Sequence, residues 1–180
     1  LNAPYVALGS TRSRVDQLSG SNLLGSTLAP PAKTGPGRLS VAAQGIDLVG
    51  GLGFDGFSQV DLHSQGEVRA IGIRTARETR DYQGALHLAG HLAITASPFY
   101  PATLSDYTVD LGDTGVFSLN PSTSNTSPIY SAGGSLTLKA ATIEQHGVLA
   151  APFGQLQLQA SQTLHLYPGS LTSVSGNGLT

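Results

Sequence analysis

Residues 50–58, GGLGFDGFS, match position by position a nonapeptide, G-G-x-G-x-D-x-U-x, that binds calcium in certain repeat proteins. In those repeats the ion lies between successive turns, surrounded by carbonyl and aspartate oxygens from tandem copies of the motif. Calcium takes about six to eight oxygen ligands, and Asp55 alone cannot supply them because the motif has no second copy. We therefore predict that the glycines form a corner and that Phe57 begins a strand, with a calcium site as the alternative hypothesis.

Two histidines, His87 and His91, have the spacing of a metal-ligand pair on a helix. The segment LHLAGH alternates as a strand does, however, so its leucines would face inward and both imidazoles outward. Neither cysteine nor a clustered set of acids accompanies the five histidines, and a zinc site normally needs such companions. We predict surface histidines, with neither a metal site nor a cofactor.

Carboxylates could act in catalysis if several of them converged on one outer face, as in the polysaccharide lyases and hydrolases with β-helical folds. The acids that lie near other charged groups in sequence are Asp55 and Asp61, Glu67 beside Arg69, and Asp106 and Asp110. No alignment of repeats stacks any of these pairs at a catalytic separation. We predict no catalytic residues. A carbohydrate-active protein, a lyase or depolymerase, is the alternative, and activity on acidic polysaccharides that Asp55→Ala or Asp61→Ala abolishes would establish it.

The elements that would position these residues are indicated by the composition. Charged residues make up 11 % of the chain, against roughly 25 % in ordinary globular domains. The chain has 23 glycines among 180 residues, which is close to twice the usual share of about 7 %. A helical protein would carry many more Lys and Glu residues on its exposed faces. The composition therefore favours an all-β protein. The net charge of −2 gives no electrostatic reason to expect nucleic acid or an anionic membrane as a partner.

A period runs through the apolar residues. Pairs of apolar residues separated by one polar residue recur at Leu39/Val41, Val60/Leu62, Leu86/Leu88, Leu136/Leu138 and Leu156/Leu158. The step from Leu39 to Val60 is 21 residues, and that from Leu136 to Leu156 is 20. A second apolar position follows the first member of each pair by 6 to 8 residues, at Ile46, Val68, Leu92, Ile143 and Leu164. This alternation and period are typical of short strands with one buried face in a solenoid.

Repeats of this length cannot bury their own apolar faces, so the coils must stack on one another. We predict an all-β right-handed parallel β-helix, in which each strand pairs with the same strand of the next coil. The alternative is an antiparallel sandwich, which the missing hairpin dipeptides between strands disfavour. Residues 1–180 are predicted to form a single segment: an irregular or degenerate coil over 1–36, coils over 37–94, an extra-helical excursion over 95–131, and coils over 132–180.

The predicted excursion interrupts the period and is rich in proline and in aromatic residues. Because recognition in a solenoid is expected on segments that leave the coil, this excursion and the charged segment 74–81 are the predicted contact surface. The aromatic residues that are candidates for the contact are Phe99, Tyr100, Tyr107 and Tyr130. Burial of these rings against the side of the solenoid is the alternative.

The same alignment predicts which outward residues become neighbours in successive coils. The residues that follow the second apolar positions are Asp47, Arg69, Ala93, Glu144 and His165. Asp47 should therefore lie beside Arg69, and Glu144 beside His165. Exposed pairs of this kind contribute only about 0.2–1 kcal/mol each, so they would fix the register more than they stabilise the fold.

The last third of the chain contains four connected motifs: GGSLTL, IEQHGVLAAPFG, QLQLQA and PGSLTSVSG. Over about 50 residues it resembles the β-helical shaft of the filamentous-haemagglutinin-like exoproteins, large bacterial surface proteins exported by two-partner secretion. The resemblance continues more loosely through GFSQVDLHSQGEVRAIG and GALHLAGHLAITA. The Asn-Pro-Asn-Gly type motif of the secretion domain is absent, so the resemblance implies shaft and not secretion signal.

What the resemblance implies is a secreted, non-enzymatic, structural or adhesive segment at the bacterial cell surface, a rigid shaft that adheres or that presents a toxin or receptor-binding region. The implied partners are a receptor or glycan on a host or neighbouring cell and, during export, an outer-membrane transporter, with no nucleic acid and no small-molecule substrate. The absence of cysteine permits export. Because the chain begins at Leu1 and contains no methionine, we expect an excised segment of a larger protein.

Overall fold

The computed structural model describes residues 2–9, 32–74, 82–123 and 128–176. Within these residues the protein is all-β, with no helix, and its 14 strands form a single sheet that does not close on itself. All strand pairs are parallel, and the predicted parallel β-helix solenoid is confirmed. The strands are β1 (Asn2–Gly9), β2 (Gly37–Val49), β3 (Gly51–Gly53), β4 (Phe57–Ser64), β5 (Val68–Ile71), β6 (Tyr82–His87), β7 (His91–Ala96), β8 (Phe99–Pro101), β9 (Ser105–Asp110), β10 (Val116–Pro121), β11 (Ser135–Gln145), β12 (Val148–Ala150), β13 (Gln155–Leu166) and β14 (Leu171–Ser173).

The strands lie on three faces, which the chain visits in the same order from coil to coil. Face 1 contains the first half of β2, then β4, β7, β10 and the second halves of β11 and β13. Face 2 contains most of β1, the second half of β2, β5, β8, β12 and β14. Face 3 contains β3, β6, β9 and the first halves of β11 and β13. Because β2, β11 and β13 each pass from one face to the next, the three faces belong to one sheet.

The inward side chains of successive coils form apolar columns inside the solenoid. The column on face 1 consists of Leu39, Val60, Leu92, Phe117, Ile143 and Leu164. The column on face 2 consists of Val6, Ile46, Val68, Phe99 and Leu149. Away from the two ends of the solenoid these side chains are fully buried. Burial of one such side chain contributes about 1.5–3 kcal/mol, so the columns are the main source of stability.

The columns also correct the predicted alignment of the coils. The step from Leu39 to Val60 is confirmed as a register pair. Val60 then pairs with Leu92, 32 residues later, and not with Leu86, which lies on face 3. The prediction was wrong here because the coil that starts at β4 has additional residues between β5 and β6, and the apolar alternation carries no information about the length of that connection.

Most of the segment 95–131 belongs to the coils, which corrects the predicted excursion. It contributes β8, β9 and β10, which pair with strands of neighbouring coils on faces 2, 3 and 1. Three of its aromatic residues, Phe99, Tyr107 and Phe117, lie in the apolar core, and the ring centroids of Phe99 and Phe117 are 6.3 Å apart. The aromatic content that suggested an excursion therefore reflects bulky side chains inside the coils.

A shorter departure remains between β10 and β11. Of residues 122–134 the structure describes 122–123 and 128–134, and these contain no strand. On face 2, β8 pairs directly with β12 through Phe99 and Leu149. The chain rejoins the coil at Ser131, whose hydroxyl donates a hydrogen bond to the carbonyl oxygen of Pro101 at 2.5 Å. Residues 10–31, and all of the predicted loop 74–81 except its first residue, lie outside the described residues, whereas β1 shows that residues 2–9 are part of a coil.

Candidate functional site

The segment 50–58 contains two turns, each at a glycine with left-handed backbone, and the short strand β3 between them, so Gly51 and Gly53, predicted to form one corner with Gly50, lie in a strand instead. Gly50, with φ of 64°, leads from face 2 into β3, and Gly56, with φ of 81°, leads into β4, which begins at Phe57 as predicted. The carboxylate of Asp55 accepts a hydrogen bond from the backbone N–H of Lys33 at 2.7 Å. Within the described ranges, no three His, Asp or Glu side chains come together as metal ligands would. Asp55 thus joins the turn before β4 to the segment that precedes β2.

The two histidines of LHLAGH point outward as predicted, but they lie on different faces. His87 is half-buried on face 3, opposite Asp110 of the next strand. His91 is exposed on face 1, opposite Gln59 and Val116. Their helical ligand spacing therefore brings no two ligands together.

The acids that are near in sequence are also kept apart. Asp61 lies on face 1, where the amide of Gln59 donates to both of its carboxylate oxygens at 3.0 Å, while Asp55 lies in the turn before β4. Asp106 and Asp110 stand at the two ends of the outer side of β9, about 13 Å apart along the strand. The structure places none of these acids in a close pair.

Three of the four aromatic residues predicted as a contact surface are inaccessible. Phe99, Tyr100 and Tyr107 are buried, at 0 %, 1 % and 0 % exposure, which corrects the prediction for them and agrees with the burial alternative. The reason is that their segment is part of the coils and not an excursion. Tyr130, in the departure between β10 and β11, is 80 % exposed. It is the member of the set that a partner could contact.

The predicted neighbours Asp47 and Arg69 are confirmed on face 2, and they form a tight cluster. The guanidinium of Arg69 donates through Nε and Nη2 to the two carboxylate oxygens of Asp47, both at 2.7 Å. The hydroxyl of Tyr5 donates to the same carboxylate, and an oxygen of Glu67 lies 3.7 Å from the Nε of Arg69. Asp47 is only 4 % exposed, so the pair is more buried than predicted. A buried carboxylate needs such partners because its desolvation is costly.

The face 2 cluster keeps Tyr5 and Tyr100 neutral and Arg69 charged at neutral pH. The hydrogen bond to Asp47 raises the pKa of Tyr5 and that of Arg69. Burial, together with the nearby Glu67 carboxylate, raises the pKa of Tyr100 to about 12. The shifts favour a neutral tyrosine and a charged arginine. The arrangement therefore holds three coils in register rather than exchanging protons.

On face 1 the predicted neighbours Glu144 and His165 are also confirmed as register partners. The next outward position holds a contact that the sequence did not indicate: the ring of His146 stacks on that of Tyr167 with centroids 3.7 Å apart. Ala93, predicted to continue the Asp47 and Arg69 column, lies on face 1 opposite Asp61 instead. The misplacement follows from the alignment error at the coil that starts at β4.

Face 3 carries a polar depression that spans three coils, with a volume of about 570 Å³. We call it the face 3 depression. It is lined by the outward side chains of β9, β11 and β13, over the backs of two leucines, Leu136 and Leu156. The ladder sets these side chains in rows across the coils: Asp106, Ser135 and Gln155; Thr108, Thr137 and Gln157; and Lys139 and Gln159.

The polar groups of this depression are not used within the protein. Over the described part of the chain, none of its polar side chains makes a hydrogen bond or ion pair to another residue. Its three glutamines, Asp106 and Lys139 are exposed, and the two threonines and Ser135 are half-buried. Their donors and acceptors are therefore available to a ligand. This is the candidate functional site of the described chain.

The sequence contained a signal for this site that the alignment did not use. The segments YTVDL, LTLKA and LQLQA share the strand alternation and hold their polar residues at matching positions. Because YTVDL falls within the predicted excursion, its Thr108, and Asp106 directly before it, were not placed beside the polar residues of β11. Aligning all three segments would have predicted the rows.

Comparisons with protein-family models, with curated proteins and with solved structures found no match to this chain. Among the described residues, no helix is long and apolar enough to span a membrane.

Proposed function

We propose that the chain is a non-enzymatic shaft segment of a secreted bacterial surface exoprotein of the filamentous-haemagglutinin-like kind. In this role it adheres, or it holds a toxin or receptor-binding region away from the cell. Its partners are a receptor or glycan on a host or neighbouring cell and, during export, an outer-membrane transporter. The motifs of the last third of the sequence and the parallel β-helix both support this proposal.

The observation that carries the proposal is the state of the last described coil. Leu164 and Leu166 occupy inward positions of β13, yet they are 45 % and 57 % exposed. Ile143 and Leu119, which occupy the same two columns in earlier coils, are fully buried. Within the described residues, β13 pairs along one edge alone, with β11. Burial of each apolar row therefore depends on a stacked neighbouring coil, which is how a solenoid shaft is built.

The ladders explain why such a segment would be stiff. Neighbouring coils are joined by parallel strands on up to three faces, and a continuous apolar column runs behind each face. Bending the solenoid would open ladder hydrogen bonds on one face and expose column side chains to water. A stack of this kind therefore holds whatever it carries at a distance set by the length of the stack.

Export tests the proposal. The chain, fused behind a two-partner secretion domain and produced with the matching transporter, should appear on the bacterial surface and resist added protease. Leu62→Asp puts a charge at a fully buried inward position, so it should be exported but rapidly digested. The matched control is His63→Asp, at the exposed neighbouring position, which should stay resistant. Retention of the unmodified chain inside the cell, or digestion as fast as that of Leu62→Asp, would contradict the proposal.

A further inference from the structure

We propose that the face 3 depression binds a neutral oligosaccharide. The inference rests on the adhesive role proposed above and gives that role a site and a ligand class. The depression measures about 13 Å along residues 135 to 139 of β11 and about 10 Å across the three coils. Its area suits a short stretch of a glycan chain.

The chemistry of the lining fits a ligand that is covered with hydroxyl groups. Each glutamine amide offers two donors and an acceptor oxygen, and each threonine hydroxyl both donates and accepts. Gln157, Thr137 and Thr108 form one row across three coils, so donors and acceptors recur at the spacing of the ladder. Sugar hydroxyls likewise donate and accept, and they would replace water on groups that have no partner in the protein. The binding energy would therefore come from hydrogen bonds.

The charges at the depression favour a neutral ligand. Asp106 lies at one end and Lys139 at the other, and Asp110 lies opposite Lys139 on β9, so the surface carries no excess of positive charge. An acidic polysaccharide would meet the carboxylate of Asp106 as well as the ammonium of Lys139, and like charges brought together oppose binding. Interaction with a neutral chain should also depend little on salt, since such a ligand carries no charge to screen.

A protein partner is disfavoured by the same lining. Interface centres are enriched in aromatic residues, which bury large areas when they bind. The residues that line the depression, all in the described part of the chain, include no aromatic side chain, and its two leucines lie beneath the polar rows. The exposed rings of Tyr130 and Phe153 are not among them. Hydrogen bonding is thus the recognition chemistry that this surface offers.

The test is a glycan array probed with the full 180-residue chain, displaying neutral hexasaccharides of glucose, mannose, galactose and N-acetylglucosamine beside heparin and alginate fragments. At least one neutral hexasaccharide should bind, with an affinity that changes less than about 2-fold between low and high salt. Thr108→Val with Thr137→Val removes two adjacent hydroxyls from the depression and should weaken that binding about 10-fold or more. The matched control is Thr142→Val with Thr163→Val, the equivalent register pair on face 1, which should leave the affinity unchanged.

Several results would overturn the inference. The first is that no neutral glycan binds. The second is that only heparin or alginate binds and that high salt abolishes this binding. The third is that the face 1 control variant loses as much affinity as the face 3 variant. Binding to cells that survives enzymatic removal of their glycans would instead identify a protein receptor, and it too would overturn the inference. None of these results affects surface export or protease resistance, so failure here is distinguishable from failure of the shaft proposal.

Discussion

Faces 2 and 3 of the solenoid use the same backbone geometry for opposite purposes. On face 2, Asp47 of one coil lies directly opposite Arg69 of the next, and on face 3, Asp110 lies directly opposite Lys139. The face 2 pair is closed by two hydrogen bonds of 2.7 Å. Asp110 and Lys139, both among the described residues, form no ion pair, and the Asp110 carboxylate accepts instead from the backbone N–H of Gly112.

This difference shows what the ladder determines and what it leaves to the side chains. Parallel pairing sets an acid beside a base in both places, yet it does not make them bind. Arginine can reach a carboxylate with two parallel N–H groups, whereas lysine offers a point charge on a flexible stem. The Asp47 carboxylate is also buried and has the Tyr5 hydroxyl as a further partner. Face 2 is therefore a structural lock, and face 3 leaves its polar groups open to a ligand.

The largest effect is expected from breaking the face 2 lock. Arg69→Leu leaves Asp47 buried without its cation, and we expect a loss of about 2–4 kcal/mol in the free energy of unfolding. Lys139→Leu, the matched change on face 3, should alter that free energy by no more than about 0.5 kcal/mol. Urea denaturation of the two variants measures the difference.

A double variant separates the pair from the isolated residues. Asp47→Leu together with Arg69→Leu removes both charges, so it should recover most of the stability that Arg69→Leu alone loses. Equal destabilisation by Arg69→Leu and Lys139→Leu would show that the two faces do not differ in the way described here.

The second largest effect is expected in the interior of face 3. There the side chains are tightly packed, whereas the outer side of the same face has unpaired polar groups. Gly84 lies opposite Tyr107, and a Cβ atom added at Gly84 would stand 2.3 Å from that ring. Gly84→Ala should therefore cost about 1–3 kcal/mol of stability, because overpacking outweighs the entropic gain of replacing glycine. The control is Gly45→Ala, where the nearest atom is 3.9 Å away and a small gain or no change is expected. Thermal unfolding of both variants checks this, and a stable Gly84→Ala would refute the tight packing.

The partnership between Gly84 and Tyr107 also shows where the sequence could and could not predict the fold. The steps from Leu39 to Val60 and from Leu136 to Leu156 were predictable because each spans one coil without a long connection. The apolar alternation alone does not show that Tyr107 points into the interior, because the space for its ring is provided by Gly84, which lies in another coil.

The surface contacts, like the fold, were predictable only where the strands that form them are separated by one regular coil. Asp47 and Arg69 followed from one regular step, and their contact is confirmed. The face 3 depression needed β9 to be placed beside β11, and the connection lengths on both sides of β9 hid that pairing. Loop length is weakly constrained energetically, so a chain can lengthen a corner without changing the strands that it joins.

A smaller effect should appear at alkaline pH and should come in part from Tyr100 on face 2. Burial raises the pKa of Tyr100 from about 10 to about 12 in the folded protein. The unfolded chain therefore loses this proton first, so the contribution of Tyr100 is fully present below pH 10 and is lost as the pH rises to about 12. Tyr100→Phe should lose less stability than the unmodified chain over that window. Denaturation curves at pH 8, 10 and 12 would show this, and identical slopes for both proteins would contradict it.

The smallest effect should come from Tyr107, the buried tyrosine of face 3. Its hydroxyl is the one fully buried side-chain polar atom of the described residues that lacks a hydrogen-bond partner. An unpartnered buried hydroxyl costs free energy, so Tyr107→Phe, which keeps the ring against Gly84, should leave stability unchanged or raise it by up to about 1 kcal/mol. Tyr5→Phe is the matched control on face 2, and it should lower stability by about 1 kcal/mol because it removes a hydrogen bond to Asp47. If Tyr107→Phe were the more destabilising of the two, the Tyr107 hydroxyl would have a hydrogen-bond partner, such as a buried water. The difference between faces 2 and 3 in the use of their polar groups would then be limited to the outer surface.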